Sequence, residues 1–257
     1  NRVRYYQGQR FNYDAHGNVV EKRIGQHTAM RFDYDPHHRM IAAQVSSQGV
    51  VQRYRYAYDA LGRRVLKRDA FGATRFLWSD DSLLAETRAR RMRLYLYGDD
   101  AFVPVAQVES HDQVRQCRTL HYHVDQIGTP REMTDDSGAL VWRARYSAWG
   151  ATVSVEMDVK SDQPWQSAQP LRFQGQYHDA ETGLHYNRYR YYDCQLGRFT
   201  SKDPIGLAGG INVYQYGPNP IQWIDPLGLA RIPQSRKTKV ADENREFFGV
   251  ETCECCG

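Results

Sequence analysis

Two copies of one five-residue pattern carry the residues best suited to chemistry. They are Asp203-Pro-Ile-Gly-Leu207 and Asp225-Pro-Leu-Gly-Leu229, with the aspartates 22 positions apart. Pro fixes φ, Gly permits φ > 0 and Asp can bond the turn backbone, so each copy reads first as a tight turn. The segment between them, Gly210-Ile-Asn-Val-Tyr-Gln-Tyr216, is aromatic and strand-like. A turn-strand-turn path could bring Asp225 back beside Asp203. Two carboxylates sharing one proton can divide peptide hydrolysis: one takes a proton from water while the other polarises the carbonyl or protonates the leaving amine. Like charges at short range keep such a pair singly protonated. Spacing alone permits this chemistry and equally permits two plain turns around a strand.

The elements that must position these aspartates are β-strands. The 257 residues include 18 Tyr, 9 Phe and 5 Trp with 20 Gly and 10 Pro, and no long run of helix formers. An aromatic content of 12% argues against a disordered chain. The predicted class is all-β. Strand signals alternate with period two: Tyr54, Tyr56 and Tyr58 share one face while Arg53, Arg55 and Ala57 share the other. Met92, Leu94 and Leu96 likewise stand opposite Arg93, Tyr95 and Tyr97.

The first third repeats. Asn12-Tyr-Asp-Ala-His-Gly-Asn18, Asp33-Tyr-Asp-Pro-His-His-Arg39 and Ala57-Tyr-Asp-Ala-Leu-Gly-Arg63 place Tyr13, Tyr34 and Tyr58 21 and 24 residues apart. Each copy reads as a β-hairpin whose Asp holds the turn, and hairpins that stack make a curved or spiral sheet. The pattern weakens between Ala151 and Pro170, where Ser161–Pro170 reads as a loop or insertion. The chain opens mid-pattern at Asn1, which points to a fragment of something longer.

Other signals exclude more than they suggest. The net charge is +4 and spread along the chain, with no basic stripe of the kind that binds nucleic acid. No apolar run approaches the roughly 20 residues of a membrane span. Five cysteines, three crowded at Cys253, Cys255 and Cys256, make no disulfide framework. Those three could bind zinc or form disulfides, but the beginning or remnant of a variable tail is the simpler reading. His121, His123 and Asp125 share one strand face without an evident fourth metal ligand. Cys194, with His178 or His185 as base, gives a cysteine-nucleophile alternative. Nothing here requires a cofactor or a metal.

The Tyr-Asp repeats resemble those of bacterial Rhs proteins, toxin-complex C subunits and teneurins. His121-Tyr-His-Val-Asp-Gln-Ile-Gly-Thr-Pro-Arg-Glu132 resembles the Rhs signature, as do Trp142–Gly150, Leu171–Tyr177, Gly183–Asp193 and Gly197–Pro204. The resemblance covers about residues 1–229. It implies shell strands over 1–120, an Rhs-associated core with an autoprotease site over 121–229, and a variable C-terminal tail over 230–257. The implied fold is a spiralling hollow shell of YD-repeat hairpins, closed by the core, that encloses a C-terminal toxin. The implied activity is an aspartic autoprotease acting once, in cis. Asp203 and Asp225 match the family's aspartates, Arg190 falls where a supporting arginine stands, and the cut falls between Leu229 and Ala230. Arg188 and Arg198 are alternatives for the arginine. Cys194 stands where the family often has Pro.

The implied partners are the protein's own C-terminal toxin segment, an export chaperone, a secretion-spike protein and an immunity protein. The implied localisation is bacterial export by a contact-dependent route such as type VI secretion. A tail of 28 residues is too short for an ordinary independent core, and is expected to be the start or remnant of a toxin or else a small peptide acting in another way. The competing expectation is a non-enzymatic, teneurin-like shell or adhesion module.

Overall fold

The computed structural model describes residues 1–112, 116–157 and 169–233. One antiparallel sheet takes up its first two segments. Its strands are β1 (Tyr5–Tyr6), β2 (Gln9–Tyr13), β3 (Val19–Ile24), β4 (Thr28–Tyr34) and β5 (Met40–Ser47). There follow β6 (Val50–Tyr58), β7 (Arg64–Asp69), β8 (Gly72–Ser79), β9 (Ser82–Arg88) and β10 (Arg91–Tyr97). The last five are β11 (Pro104–His111), β12 (Gln116–Val124), β13 (Pro130–Asp135), β14 (Leu140–Tyr146) and β15 (Thr152–Met157). Each pairs only with its sequence neighbours, in a continuous meander. The expected boundary after residue 120 lies inside β12, so the sheet itself runs through it unbroken. The weakly patterned stretch after Ala151 includes β15; residues 161–168 of the expected loop lie outside the described residues.

The repeat has a physical basis. Asp14, Asp35 and Asp59 each accept backbone N–H bonds from their own turns. At Tyr13, Tyr34 and Tyr58 the strand register shifts by a bulge, which adds twist. Each of these hydroxyls donates back to a main-chain carbonyl: Tyr13 to Val3, Tyr34 to Val19 and Tyr58 to Met40. Two further units keep the device without the Tyr-Asp signature. Trp78 Nε1 donates to Arg64 O and Tyr97 Oη to Leu83 O, each beside a bulge. Replacing Tyr58 by Phe orphans the buried Met40 carbonyl, and should cost about 1–3 kcal/mol in urea unfolding. A loss under a few tenths would show that the hydroxyl ladder is dispensable.

Alternation is as expected in β6, where Tyr54 and Tyr56 are buried and the arginines exposed. In β10 the inward face is Arg93, Tyr95 and Tyr97, while Met92 and Leu96 are exposed. Arg93 tolerates burial because Glu86 and Glu109 pair with it at 2.6 and 3.0 Å.

A second sheet covers the inner face: β16 (Tyr177–Asp179), β17 (Leu184–Asn187), β18 (Arg190–Asp193) and β19 (Arg198–Phe199). Tyr177, Leu184, Tyr186 and Tyr191 enter one core with Phe11, Phe32, Tyr56, Phe76, Tyr95, Met133 and Trp142. Buried ion pairs join the sheets. Arg64 binds Asp179 through both terminal nitrogens, at 2.5 and 3.1 Å, among the rings of Tyr56, Phe76, Tyr177 and Tyr186. Lys22 binds Asp193 at 2.6 Å.

Candidate active site

The β17–β18 hairpin is the platform for the aspartate doublet. Both Asp-Pro-X-Gly copies form the expected turns, with Gly206 N–H on Asp203 O at 3.0 Å and Gly228 N–H on Asp225 O at 3.3 Å. The segment between them departs from the expected strand. Gly206–Gly209 is a short 3-10 turn, and Gly210–Tyr216 is irregular apart from one bridge, Gln215 to Arg198. Asn212 explains this: its side chain accepts from Tyr214 N–H and its carbonyl from Gln215 N–H, so the backbone coils instead of extending. Tyr214 and Tyr216 are nevertheless buried. Tyr216 packs on Phe173, Tyr192, Phe199 and Ile224, which fixes the loop on the core.

The second turn is held by the platform backbone. Tyr189 N–H donates to Leu227 O at 3.1 Å, and Asn187 Nδ2 donates to Asp225 O at 2.8 Å. Gly175 is required because any Cβ there would collide with the Pro226 carbonyl. Short strands β20 (Trp223–Ile224) and β21 (Ile232–Pro233) then pair across the turn, so the chain before Asp225 and the chain after Ala230 lie side by side.

Arg190 is the centre of the arrangement. Its Nη2 lies 2.9 Å from Asp203 Oδ2 and 3.4 Å from Asp225 Oδ2. The two carboxylates therefore flank one nitrogen. Its Nε donates to Gly228 O at 2.5 Å and its Nη1 to Val213 O at 3.1 Å. One guanidinium thus orients both acids and the backbone next to Leu229. Asp225 Oδ1 accepts from Leu229 N–H at 2.9 Å. On the other side, a Cβ at Gly209 would collide with Asp203 Oδ2 and stand 2.8 Å from Leu229 O. The Asp203 carboxylate and the Leu229 carbonyl flank the same methyl-sized space, which only glycine leaves open.

Burial dominates the electrostatics. Asp225 is 1% exposed, and burial pushes its carboxyl up to about 6, with Asp203 adding to the rise and Arg190 and Leu229 N–H opposing it. Asp203 is also raised by burial, against the pull of Arg190. Burial brings the Arg190 guanidinium down to about 10 despite both carboxylates, so it stays charged at neutral pH.

The other candidates lie elsewhere. Arg188 stands in the turn before β18 with φ 57°, bound to Asp81 and Leu61 O, and Arg198 reaches Asn1 O. Neither contacts the aspartates. The Cys194 thiol is buried, pushed up to about 11 by burial, and donates to Gly183 O. Burial also brings His178 down to about 4, and His185 Nδ1 is engaged with Gln176. That is a packed interior in place of a nucleophile and base. His121 pairs with Asp136 and His123 with Thr134, while Asp125 holds its own turn, so the three do not converge. Cys253, Cys255 and Cys256 lie outside the described residues. Asn187, Gly209, Gly210 and Arg231 belong to the site but carry no sequence motif that marks them.

A shell sheet of repeated hairpins, capped by a core that presents an arginine-bridged aspartate pair, defines a YD-repeat shell protein of the Rhs type. The teneurin YD-shell family model matches residues 1–220, and the chain belongs to that family. Double-stranded DNA deaminase toxin A of Burkholderia cenocepacia is 40% identical over 90% of this chain and 17% of its own length. Toxin protein Tse5 of Pseudomonas aeruginosa is 37% identical over 89% of this chain and 19% of its own. The chain thus spans under a fifth of these relatives. In the Photorhabdus luminescens Tc holotoxin pore, a chain of which it covers 13% matches 87% of this one with TM-score 0.60 and 18% identity, a likeness of fold. Among the described residues no helix is long and apolar enough to cross a membrane.

Proposed function

We propose that this chain is the C-terminal part of a toxin shell that cuts itself after Leu229 and so frees a C-terminal toxin segment enclosed by the shell. The observation that carries the reading is Arg190: one side chain touches both carboxylates and the Gly228 carbonyl, beside a Leu229 amide bonded to Asp225. Asp203, the nearer to Arg190, is the ionised base that takes a proton from water. Asp225, the more deeply buried, carries the proton and donates it to the carbonyl oxygen or leaving amine. Water adds to the Leu229 carbonyl carbon, the C–N bond to Ala230 breaks, and the products are a Leu229 carboxylate and an Ala230 amine. The substrate is held in cis, so orientation substitutes for much of the catalytic power of a multiple-turnover protease.

The same reading makes the toxin segment the first partner, with an export chaperone, a secretion-spike protein and an immunity protein serving the whole effector. It makes contact-dependent secretion, of the type VI kind, the route of export. A non-enzymatic, teneurin-like module is the second reading, favoured by the fact that both aspartates also complete ordinary turns.

Freshly translated full-length protein, followed by intact mass from pH 5 to 8, tests the proposal. Asp225 must be protonated, so cleavage should fall about tenfold per unit as pH rises beyond about 6. A rate flat across this range, or no fragment beginning at Ala230, would overturn it.

A further inference from the structure

The proposed cut is gripped on both sides, and the grip beyond it is not explained by the aspartate pair. Arg231 lies two residues past Leu229. Its Nη1 donates to Gln215 Oε1 at 3.0 Å, and Gln215 Nε2 donates in turn to Gly217 O, which fixes the amide to receive it. The guanidinium runs directly over Gly210, where any Cβ would fall inside it. Gly210 has φ 122°, a conformation suited to glycine, so backbone shape and absent side chain together form a channel for this arginine. The next residue, Ile232, packs on the cluster of Tyr216 and Ile224 and pairs with Ile224 through β20 and β21. On the near side, Arg190 holds Gly228 O and Asp225 holds Leu229 N–H.

We infer that Arg231 is a positioning residue of the processing site: seated in the Gly210 channel on Gln215, it fixes the leaving side of the Leu229–Ala230 bond and brings a second cation to Asp203. The inference rests on the self-cleavage reading above. Its physical basis is twofold. A peptide bond pinned on both sides is kept near the attack geometry, which lowers the orientational cost of the reaction. The charged groups acting on Asp203 are Arg190 from β18, Arg231 from beyond the cut and, when ionised, Asp225, which shares Arg190 with it and has the Tyr216 hydroxyl near its backbone. Both cations favour ionised Asp203, and Arg231 also lowers the affinity of Arg190 for its proton. The second cation belongs to the substrate segment, so it leaves with the product and the site loses it after one turnover.

The test uses the full-length protein and the time course of cleavage by intact mass across pH 5 to 8. Arg231→Met should slow cleavage most at the acid end, because losing a cation that favours ionised Asp203 leaves more of the base protonated there. The deficit should narrow toward neutral pH, where the base ionises without help. Arg231→Lys, which keeps the charge, should recover most of the acid-end rate. Gly210→Ala should slow cleavage by filling the channel while Arg231 remains. A purely structural anchor would slow all pH values equally and would not respond to charge. Wild-type rates and an unshifted pH profile in Arg231→Met overturn the inference alone, provided wild type is cut and the aspartate variants are not. An uncut wild type, or cutting that survives loss of either aspartate, overturns it together with the reading on which it rests.

Discussion

Asp203→Asn and Asp225→Asn should each leave a single uncut chain. Asn keeps the shape of Asp but can neither take a proton from water nor deliver one. General acid and base steps each contribute about 10²–10⁴-fold, so losing either should drop cleavage below detection over the hours of a purification. Arg190 would still hold Gly228 O and Val213 O, which keeps the turn docked and makes the loss one of chemistry. The two variants should differ in stability. A carboxyl raised by folding contributes stability that is complete below its unfolded value of 3.8 and disappears as pH rises through about 6. At neutral pH, ionised Asp225 is therefore a strain on the loop, and Asp225→Asn should raise the thermal midpoint. Cleavage at the wild-type rate in either variant, read by intact mass, would remove the aspartate mechanism.

The second large effect lies at the joint between the sheets. Arg64 and Asp179 are 1% and 0% exposed and bonded by two contacts, with Lys67 at 2.9 Å from the same carboxylate. Removing one partner of such a pair strands the other charge in the interior. Arg64→Met or Asp179→Asn should each cost about 3–5 kcal/mol in urea unfolding. Arg64→Met combined with Asp179→Leu should recover part of that, because no charge of the pair remains to be stranded. Burial alone would raise the Asp179 carboxyl, but Arg64 and Lys67 more than offset it and hold it below 3.8. Its stabilising contribution is thus present above pH 3.8 and is lost only as pH falls through the lower folded value. A cost under about 1 kcal/mol for the single variants would mean that the sheets are held by apolar packing alone.

Local features of this fold were legible and distant ones were not. Tyr13, Tyr34 and Tyr58 announce hairpins because each brings its own turn Asp within one residue. Trp78 and Tyr97 perform the same task with no such neighbour, so a pattern built on Tyr-Asp passes over them. Hydrophobicity misjudges β10, where Arg93 points inward on the strength of Glu86 and Glu109 from adjacent strands. Arg64 and Asp179 are separated by 115 residues, and nothing local in either marks the other.

At the site, Asp203, Asp225 and Leu229 follow from the repeated motif set in its family. The choice of Arg190 over Arg188 depends on where the β17–β18 turn falls. Arg188 is spent in that turn, at φ 57°, while Arg190 begins the strand that passes under both aspartates. The segment between the aspartates misled because aromatic alternation suggests a strand, whereas Asn212 and Gly210 direct the backbone into a coil. Gly209 and Gly210 are informative only once the atoms they make room for, Leu229 O and the Arg231 guanidinium, are known.

Self-hydrolysis of the Leu229–Ala230 bond is the step from which the rest of the proposed function follows. Synthesising the full-length protein in water enriched in oxygen-18 and measuring the fragment masses separates hydrolysis at this bond from other breakage. The expected products are a body ending at Leu229 whose new carboxylate carries one heavy oxygen, and a second fragment beginning at Ala230. An intact chain would contradict self-hydrolysis, as would breakage at the acid-labile Asp203-Pro204 or Asp225-Pro226 bonds in place of Leu229–Ala230.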